Sequence, residues 1–206
     1  MGRTSEAKNK ILLAAQSLLG QRGYSGLGVA EICKAAGVPK GSFYYFFESK
    51  EALALAVIDM HWAAERHDWE SILQADDEPL RRLRHLLEAT EARQREGQGS
   101  YGAVLGCMFG NLSLEMSNQA DAIRLRLQEI FETEVDMVDA VIQEAQERGE
   151  VTLSDTRDTA RSVVAQLEGQ VLFAKLYNNP SQLDTLWPSC RALLGVHDDQ
   201  ATAALA

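Results

Sequence analysis

Hydrophobic residues recur along most of the chain with the i, i+3, i+4, i+7 spacing of amphipathic helices. In the N-terminal part they mark helices over residues 7–19 and 29–36, with Gly37 as the stop signal of the second. A short aromatic segment over residues 39–47 follows, and Ser49 is the predicted N-cap of a long fourth helix. No segment shows the two-residue alternation of a strand. The pattern therefore predicts an all-α fold.

The C-terminal part carries the same signal in longer stripes. They predict helices over residues 80–87, 123–145, 163–171 and 183–194. Four glycines between residues 97 and 106 predict a break in the helical pattern. From this organisation we predict three regions: a small unit of three to four helices at 1–52, a helical bundle at 53–196, and a flexible, alanine-rich tail at 197–206.

The formal net charge of −10 is divided unevenly along the chain. Residues 1–50 carry seven Lys and Arg against three Asp and Glu, whereas the remainder is strongly acidic. A basic head on an acidic body favours approach to DNA by one end. No apolar run reaches the roughly 18 residues of a membrane span, and the polar N-terminus lacks the apolar segment of a signal peptide. We therefore expect a cytoplasmic protein.

The residues around Gly37 fit a helix-turn-helix, in which two short helices are joined by a tight turn that starts with glycine. The second of these helices, at about residues 39–46, is the predicted recognition helix. Phe43 and Phe47 lie four positions apart, and we expect both to point into the core.

The opposite face of this helix suits DNA chemically. Lys40 and Ser42 offer hydrogen-bonding groups to base edges, and Gly41 allows close approach to the groove. Aromatic residues more often pack than bind, but a segment this short cannot bury all of its faces. The remaining predicted contacts, to phosphates, come from Tyr44, Tyr45 and Lys50.

The stretch from Gly23 to Leu53 strongly resembles the DNA-binding domain of the TetR/AcrR family of repressors, with AAGV, KGSFYY and SKEAL at the family's spacing. The resemblance covers about the first quarter of the chain closely. It implies a homodimer, a palindromic operator and a C-terminal domain that binds a small-molecule inducer, without a cofactor. Two departures remove individual contacts: Leu27-Gly28 replaces the usual hydroxyl residues, and Phe46 stands where histidine is frequent.

The last two helices are the predicted dimer interface, as the resemblance also implies. Small residues there allow close helix approach, and a tryptophan is suited to an interface. The alternative is that the same stripes face the core of their own chain. The predicted interface residues are Gly169, Ala174, Leu176, Leu183, Leu186, Trp187 and Cys190.

Cys107 lies between glycines at the predicted start of a helix, where a thiolate is stabilised. This segment is similar to a TetR subgroup whose members sense electrophiles or small unsaturated acids, which makes Cys107 a candidate sensor. The alternative is a small buried hydrophobe, the role we predict for Cys33 and Cys190. The candidate pocket residues are Tyr101, Met108, Phe109, Asn111, His61, Trp62 and Glu65.

Two other functional classes compete with a regulator. An enzyme would need Cys107 paired with Glu115, His61 or His85, but nothing in the sequence brings these residues together. The glycine-rich segment follows no strand and is therefore no phosphate cradle. The three cysteines and four histidines show no metal-ligand spacing, so we expect no metal site. With none of these three features present in the sequence, we expect no catalysis. A ligand-insensitive helical scaffold is the other alternative, and DNA binding separates a regulator from both.

Overall fold

The computed structural model describes residues 2–196, with side chains from Glu6 onward, so the predicted tail at 197–206 lies outside the described residues. Within this range the regular structure is helical and no strand occurs, which confirms the all-α prediction. The helices are α1 Gly2–Arg22, α2 Val29–Ala36, α3 Lys40–Phe46, α4 Lys50–Leu73, α5 Pro79–Tyr101, α6 Met108–Met116, α7 Asp121–Glu147, α8 Thr156–Leu176, the 3₁₀ helix Pro180–Thr185 and α9 Leu186–Leu193.

Helix boundaries follow the local signals in the sequence at most positions. Ser49 caps α4 as predicted, because its hydroxyl accepts a hydrogen bond from the Ala52 N–H at 3.0 Å. The predicted break in the glycine-rich segment begins later than expected. α5 continues through Gly97 and Gly99 and ends at Gly102, whose positive φ of 72° makes a left-handed cap.

One compact unit comprises the chain up to Arg66 together with Met108–Ile130. Its helix-turn-helix end has a core in which α1 packs against α2 and α3. Ile11, Phe43 and Val57 are completely buried in this unit. The division differs from the predicted boundary at residue 52, because α6 and the first part of α7 pack within the same unit as the helix-turn-helix.

Among the described residues, the second unit comprises His67–Cys107 and 131–196. Its core is formed by the apolar stripes of α5, α7, α8, the 3₁₀ helix and α9. The carbonyl end of α4 is capped by Arg82, which donates to the Leu73 carbonyl at 2.7 Å and forms an ion pair with Glu144. Among the described helices, none combines the length and apolarity that crossing a membrane requires.

Candidate nucleic-acid interface and sensor residues

The turn between α2 and α3 has the geometry of a helix-turn-helix. α2 ends at Gly37, which has φ 64° and ψ 33°, a left-handed conformation that favours glycine. The Val38 N–H donates to the Cys33 carbonyl at 3.0 Å and closes the turn. Pro39 is extended, so α3 begins at Lys40, one residue after the predicted start.

The two faces of α3 differ sharply in exposure. Phe43 is completely buried and Phe47 nearly so, and their rings lie 5.8 Å apart, as the predicted core positions require. Tyr44 is 57% exposed and Tyr45 is 74% exposed. The rest of the predicted DNA face is composed of Lys40 and Gly41, which are exposed, and Ser42, which is half-buried. α3 therefore presents a polar and aromatic surface on a firmly packed base.

Lys50 holds the turn between α1 and α2. Its ammonium donates to the carbonyl oxygens of Tyr24 and Leu27, both at 2.9 Å, and lies 4.0 Å from the centroid of the Tyr24 ring. Leu27 is buried, and Gly28 caps α2 without a side-chain hydrogen bond, as the sequence predicts. The structure thus gives Lys50 bonds within the domain, where the sequence predicts a phosphate contact.

The same turn is held a second time by Glu115 of α6. Its two carboxylate oxygens accept hydrogen bonds from the backbone N–H groups of Tyr24, at 2.7 Å, and Ser25, at 2.6 Å. A Cβ atom at Gly23 would lie 2.7 Å from the Glu115 Oε2. Burial acts to raise the pKa of the Glu115 carboxyl, but hydrogen bonds from Ser25 and Tyr24 and the charge of Lys50 outweigh it and lower that pKa.

Four of the predicted pocket residues meet in the first unit. The Phe109 ring is edge-on to His61, with centroids 5.2 Å apart, and to Trp62, with centroids 6.0 Å apart. His61 Nδ1 is 2.9 Å from the Gln16 amide nitrogen, and its Nε2 is 3.5 Å from Glu65. The remaining members in this unit are Met108, which is buried, and Asn111, which is half-buried.

Cys107 is half-buried and packs against the core of the second unit, directly before the first residue of α6. The loop that leads to it is pinned by the buried Gln94 side chain, which accepts from the Gly106 N–H at 3.2 Å and donates to the Gly106 carbonyl at 3.4 Å. Burial lowers the pKa of Lys175, and its electrostatic interaction with Cys107 opposes that shift.

Asn178, just after α8, fixes the start of the same loop. Its side chain accepts from the Val104 N–H at 2.8 Å and donates to the Gly102 carbonyl at 3.3 Å. Asn178 has a positive φ of 49°, a conformation that asparagine tolerates better than most residues. Tyr101, also predicted for the pocket, is 56% exposed at the end of α5.

The other two cysteines have the surroundings of core residues. Burial raises the pKa of Cys33, partly opposed by Lys40, and raises the pKa of Cys190 to about 12. Both side chains are buried. This confirms the prediction that they act as small hydrophobes.

Comparison with known proteins places these helices in a family. The model of the bacterial regulatory proteins of the tetR family matches residues 11–57, and that of the tetracyclin repressor-like C-terminal domain matches residues 79–189. The chain belongs to the TetR family of transcriptional regulators. It is a DNA-binding regulator, and regulators of this family bind operator DNA and are dimers.

Individual TetR-family relatives match over most of their length. The transcriptional regulator AcuR of Cereibacter sphaeroides is 36% identical, over 87% of this chain and 81% of the relative. The repressor DhaR of Mycobacterium sp. strain GP1 is 36% identical over 89% of both chains. A TetR regulatory protein from Rhodobacter sphaeroides superimposes with a TM-score of 0.81, at 32% identity, over 89% of this chain and 96% of the other. The reduced form of Escherichia coli NemR superimposes with a TM-score of 0.79, at 26% identity, over 91% of this chain and 97% of NemR.

The residues predicted for the TetR-family dimer interface divide into two groups. The side chains of Ala174, Leu183, Leu186 and Cys190 pack in the core of the second unit, which leaves them no surface for a partner. This corrects the sequence prediction for these four, because an apolar stripe does not reveal which partner covers it. The other three retain accessible surface: Gly169 and Trp187 are half-buried and Leu176 is 69% exposed.

An exposed apolar strip on α8 was missed by the sequence prediction, apart from Leu176. It comprises Leu172, Phe173, Leu176 and Tyr177, each at least 48% exposed, and the Phe173 and Tyr177 rings are stacked 6.3 Å apart. They lie on the helix face opposite buried Val171 and Ala174. Their exposure is the signal that the structure adds, because helical periodicity alone does not show which apolar residues stay uncovered.

The residues proposed for an enzyme have other partners in this TetR-family chain. Glu115 accepts two backbone N–H groups, His61 neighbours Gln16 and Glu65, and His85 lies 4.0 Å from Asp77. Within residues 2–196 no group of three or more His, Cys, Asp or Glu side chains is placed to hold a metal ion.

Proposed function

We propose that this regulator is a ligand-responsive repressor that binds a palindromic operator as a homodimer and releases it when a small molecule acts on its C-terminal part. The observation that carries the proposal is the exposed face of α3, presented on buried Phe43 and Phe47 within the tetR-family match. Repression is supported by relatives such as DhaR, whose name is that of a transcriptional repressor.

The proposed DNA contacts divide into two kinds. Lys40 and Ser42 stand at the start of α3, and the first residues of a recognition helix are those that meet base edges in the major groove. Gly41 has no side chain, so the backbone of α3 can approach the wall of the major groove closely. Tyr44 and Tyr45 have exposed hydroxyls suited to phosphates, which position the helix without reading sequence.

The proposed dimer interface centres on the exposed strip of Leu172, Phe173, Leu176 and Tyr177, of which the sequence predicts Leu176. Aromatic side chains are enriched at interfaces because they bury a large area with little loss of side-chain entropy. Trp187, half-buried on α9, and Gly169 on α8 complete the candidate set. Two-fold symmetry would place two α3 helices in successive major grooves, about 34 Å apart, which is the reason to expect a palindromic operator.

The proposed sensor is Cys107. It is the one cysteine of the three that is not buried, and its thiol interacts electrostatically with Lys175. An electrophile or small unsaturated acid would act at this thiol. The loop before Cys107 is tied to Gln94 and Asn178, so a change at the thiol would strain α5 and the end of α8.

A reporter experiment tests this function as a whole. A fluorescent-protein gene is placed behind the promoter upstream of the regulator's own gene, and acrylate or sublethal N-ethylmaleimide is added. The proposal predicts repression by the wild type, relief by the added compound, no relief in Cys107→Ser, and no repression by Lys40→Ala. Equal expression with and without the regulator would overturn repression. Relief that persists in Cys107→Ser would overturn only the role of the thiol.

A further inference from the structure

Glu115 joins two segments of the first unit that are about 90 residues apart in sequence. One is α6, the helix that begins directly after Cys107. The other is the turn between α1 and α2, whose Tyr24 and Ser25 N–H groups both donate to the Glu115 carboxylate, at 2.7 and 2.6 Å. Charge-assisted hydrogen bonds of this kind are about twice as strong as neutral ones.

The fit between this carboxylate and the turn is close. Gly23 has φ 74°, and a Cβ atom there would lie 2.7 Å from the Glu115 Oε2, closer than a Cβ atom comes to an atom outside its own residue and its two chain neighbours. Lys50 of α4 binds the carbonyl side of the same turn, at Tyr24 and Leu27. The turn is therefore held by a carboxylate on its N–H groups and an ammonium on its carbonyl groups.

The position of this turn determines where α2 starts. Only Gly26 and Leu27 separate Ser25 from Gly28, the N-cap of α2, and α2 packs against α3. A shift of the turn would therefore move the base on which the DNA-binding face of α3 rests. Glu115 itself lies on α6 and would act on DNA only through this turn.

We propose that Glu115 couples α6 to the helix-turn-helix by holding the Gly23–Ser25 turn in the position in which α3 binds operator DNA. The inference rests on the proposed function, because it requires operator binding by α3. A ligand that displaced α6 would withdraw the carboxylate from the two N–H groups and weaken DNA binding. Glu115 is a positioning residue in this scheme.

The first test compares Glu115→Ala and Glu115→Gln with Glu129→Gln, a control with the same charge change on α7 of the same unit. Operator binding is measured by fluorescence anisotropy at several salt concentrations, and hydrogen exchange is measured at the Tyr24 and Ser25 amides. We expect Glu115→Ala to weaken binding about tenfold and to speed exchange at both amides at least tenfold. The salt dependence should not change, because no phosphate contact is lost. Glu115→Gln keeps one oxygen acceptor and should lie between Glu115→Ala and the wild type.

The second test acts from the turn itself. Gly23→Ala introduces a Cβ against the Glu115 carboxylate, and Gly149→Ala is its control, since Gly149 has the same φ of 74° but no atom within 4 Å of a Cβ. Both variants carry backbone strain, but only the strain at Gly23 acts on the turn itself, so a double variant isolates the contact. If Gly23→Ala weakens operator binding through Glu115, adding Glu115→Ala should weaken it no further.

Operator binding within twofold of wild type in Glu115→Ala, or unchanged amide exchange, would overturn the coupling while leaving the proposed function intact. Failure of the wild type and the Glu129→Gln control to bind operator would overturn the proposed function, and the coupling with it.

Discussion

The Lys50 ammonium lies 4.0 Å from the centre of the Tyr24 ring and donates a 2.9 Å hydrogen bond to the carbonyl oxygen of the same residue. With a second bond to Leu27, these contacts give Lys50 a place in the folded domain. A lysine at the start of α4 of a DNA-binding unit is otherwise expected to contact phosphate. The two roles predict different consequences when the charge is removed.

Lys50→Met keeps the aliphatic stem and removes the ammonium. We expect the free energy of unfolding to fall by about 1–2 kcal/mol, because two carbonyl groups lose a charged donor. Operator binding should weaken without a change in its salt dependence. Lys34→Met, at an exposed lysine of α2, serves as the control in chemical denaturation and anisotropy. Unchanged stability with a shallower salt dependence would instead assign Lys50 to a phosphate.

If the exposed strip of α8 forms the dimer interface, a charge placed in it should dissociate the dimer. Leu176→Asp places a charge where an apolar side chain would be buried against a second copy, so we expect monomers at micromolar concentration in sedimentation experiments. Leu125→Asp, at a half-exposed leucine of α7, should remain dimeric. A Leu176→Asp protein that sediments as the wild type does would place the interface elsewhere.

Thiol reactivity separates Cys107 from the other two cysteines. Burial raises the pKa of Cys190 to about 12 and raises that of Cys33, so both are protonated near neutral pH and inaccessible. With iodoacetamide at pH 8, mass spectrometry should find the native protein labelled first at Cys107. In denaturant the three rates should converge. Equal labelling rates of the three cysteines in the native protein would indicate that Cys107 is a core residue and not a sensor.

Glu115 predicts a pH dependence of stability. Its pKa is lower in the folded protein than its ordinary value of 4.5, so the folded state favours the charged form. The resulting stabilisation is complete above about pH 5 and is lost as the pH falls through the lowered folded pKa. The difference in unfolding free energy between wild type and Glu115→Gln should therefore shrink on acidification below pH 4.5, as denaturation at several pH values would show. A difference that stayed constant down to pH 3 would contradict the contact.

The helix-turn-helix could be predicted from the sequence because its determinants are local. Gly37, the Phe43–Phe47 spacing and the Ser49 cap each act within a few residues, and the structure has them as expected. The contact of Glu115 with Tyr24 could not be predicted, since nothing in either segment marks the other across about 90 residues.

In the C-terminal part, the sequence did not show which surface covers the apolar stripes or where the break after α5 begins. An apolar stripe records that a helix face is covered, but the stripe through Leu183 and Cys190 is the same whether the cover is its own chain or a second copy. The start of the Cys107 loop was misplaced for a related reason. Gly97 and Gly99 are poor helix formers, yet the long packed α5 continues through them to its cap at Gly102.

The central claim is that α3 of this regulator binds a specific DNA sequence through its exposed face, and anisotropy across a salt series tests it most directly. Purified wild-type protein and the Lys40→Ala and Tyr45→Phe variants are titrated with labelled DNA from upstream of the regulator's own gene and with random DNA. We predict saturable binding of a dimer that exceeds random DNA at least about a thousandfold. Lys40→Ala and Tyr45→Phe should each weaken binding without loss of thermal stability. Tyr45→Phe should leave the salt dependence unchanged, because the tyrosine hydroxyl carries no charge and displaces no counterion. Binding no stronger than to random DNA, here and across a pool of genomic fragments, would contradict the account.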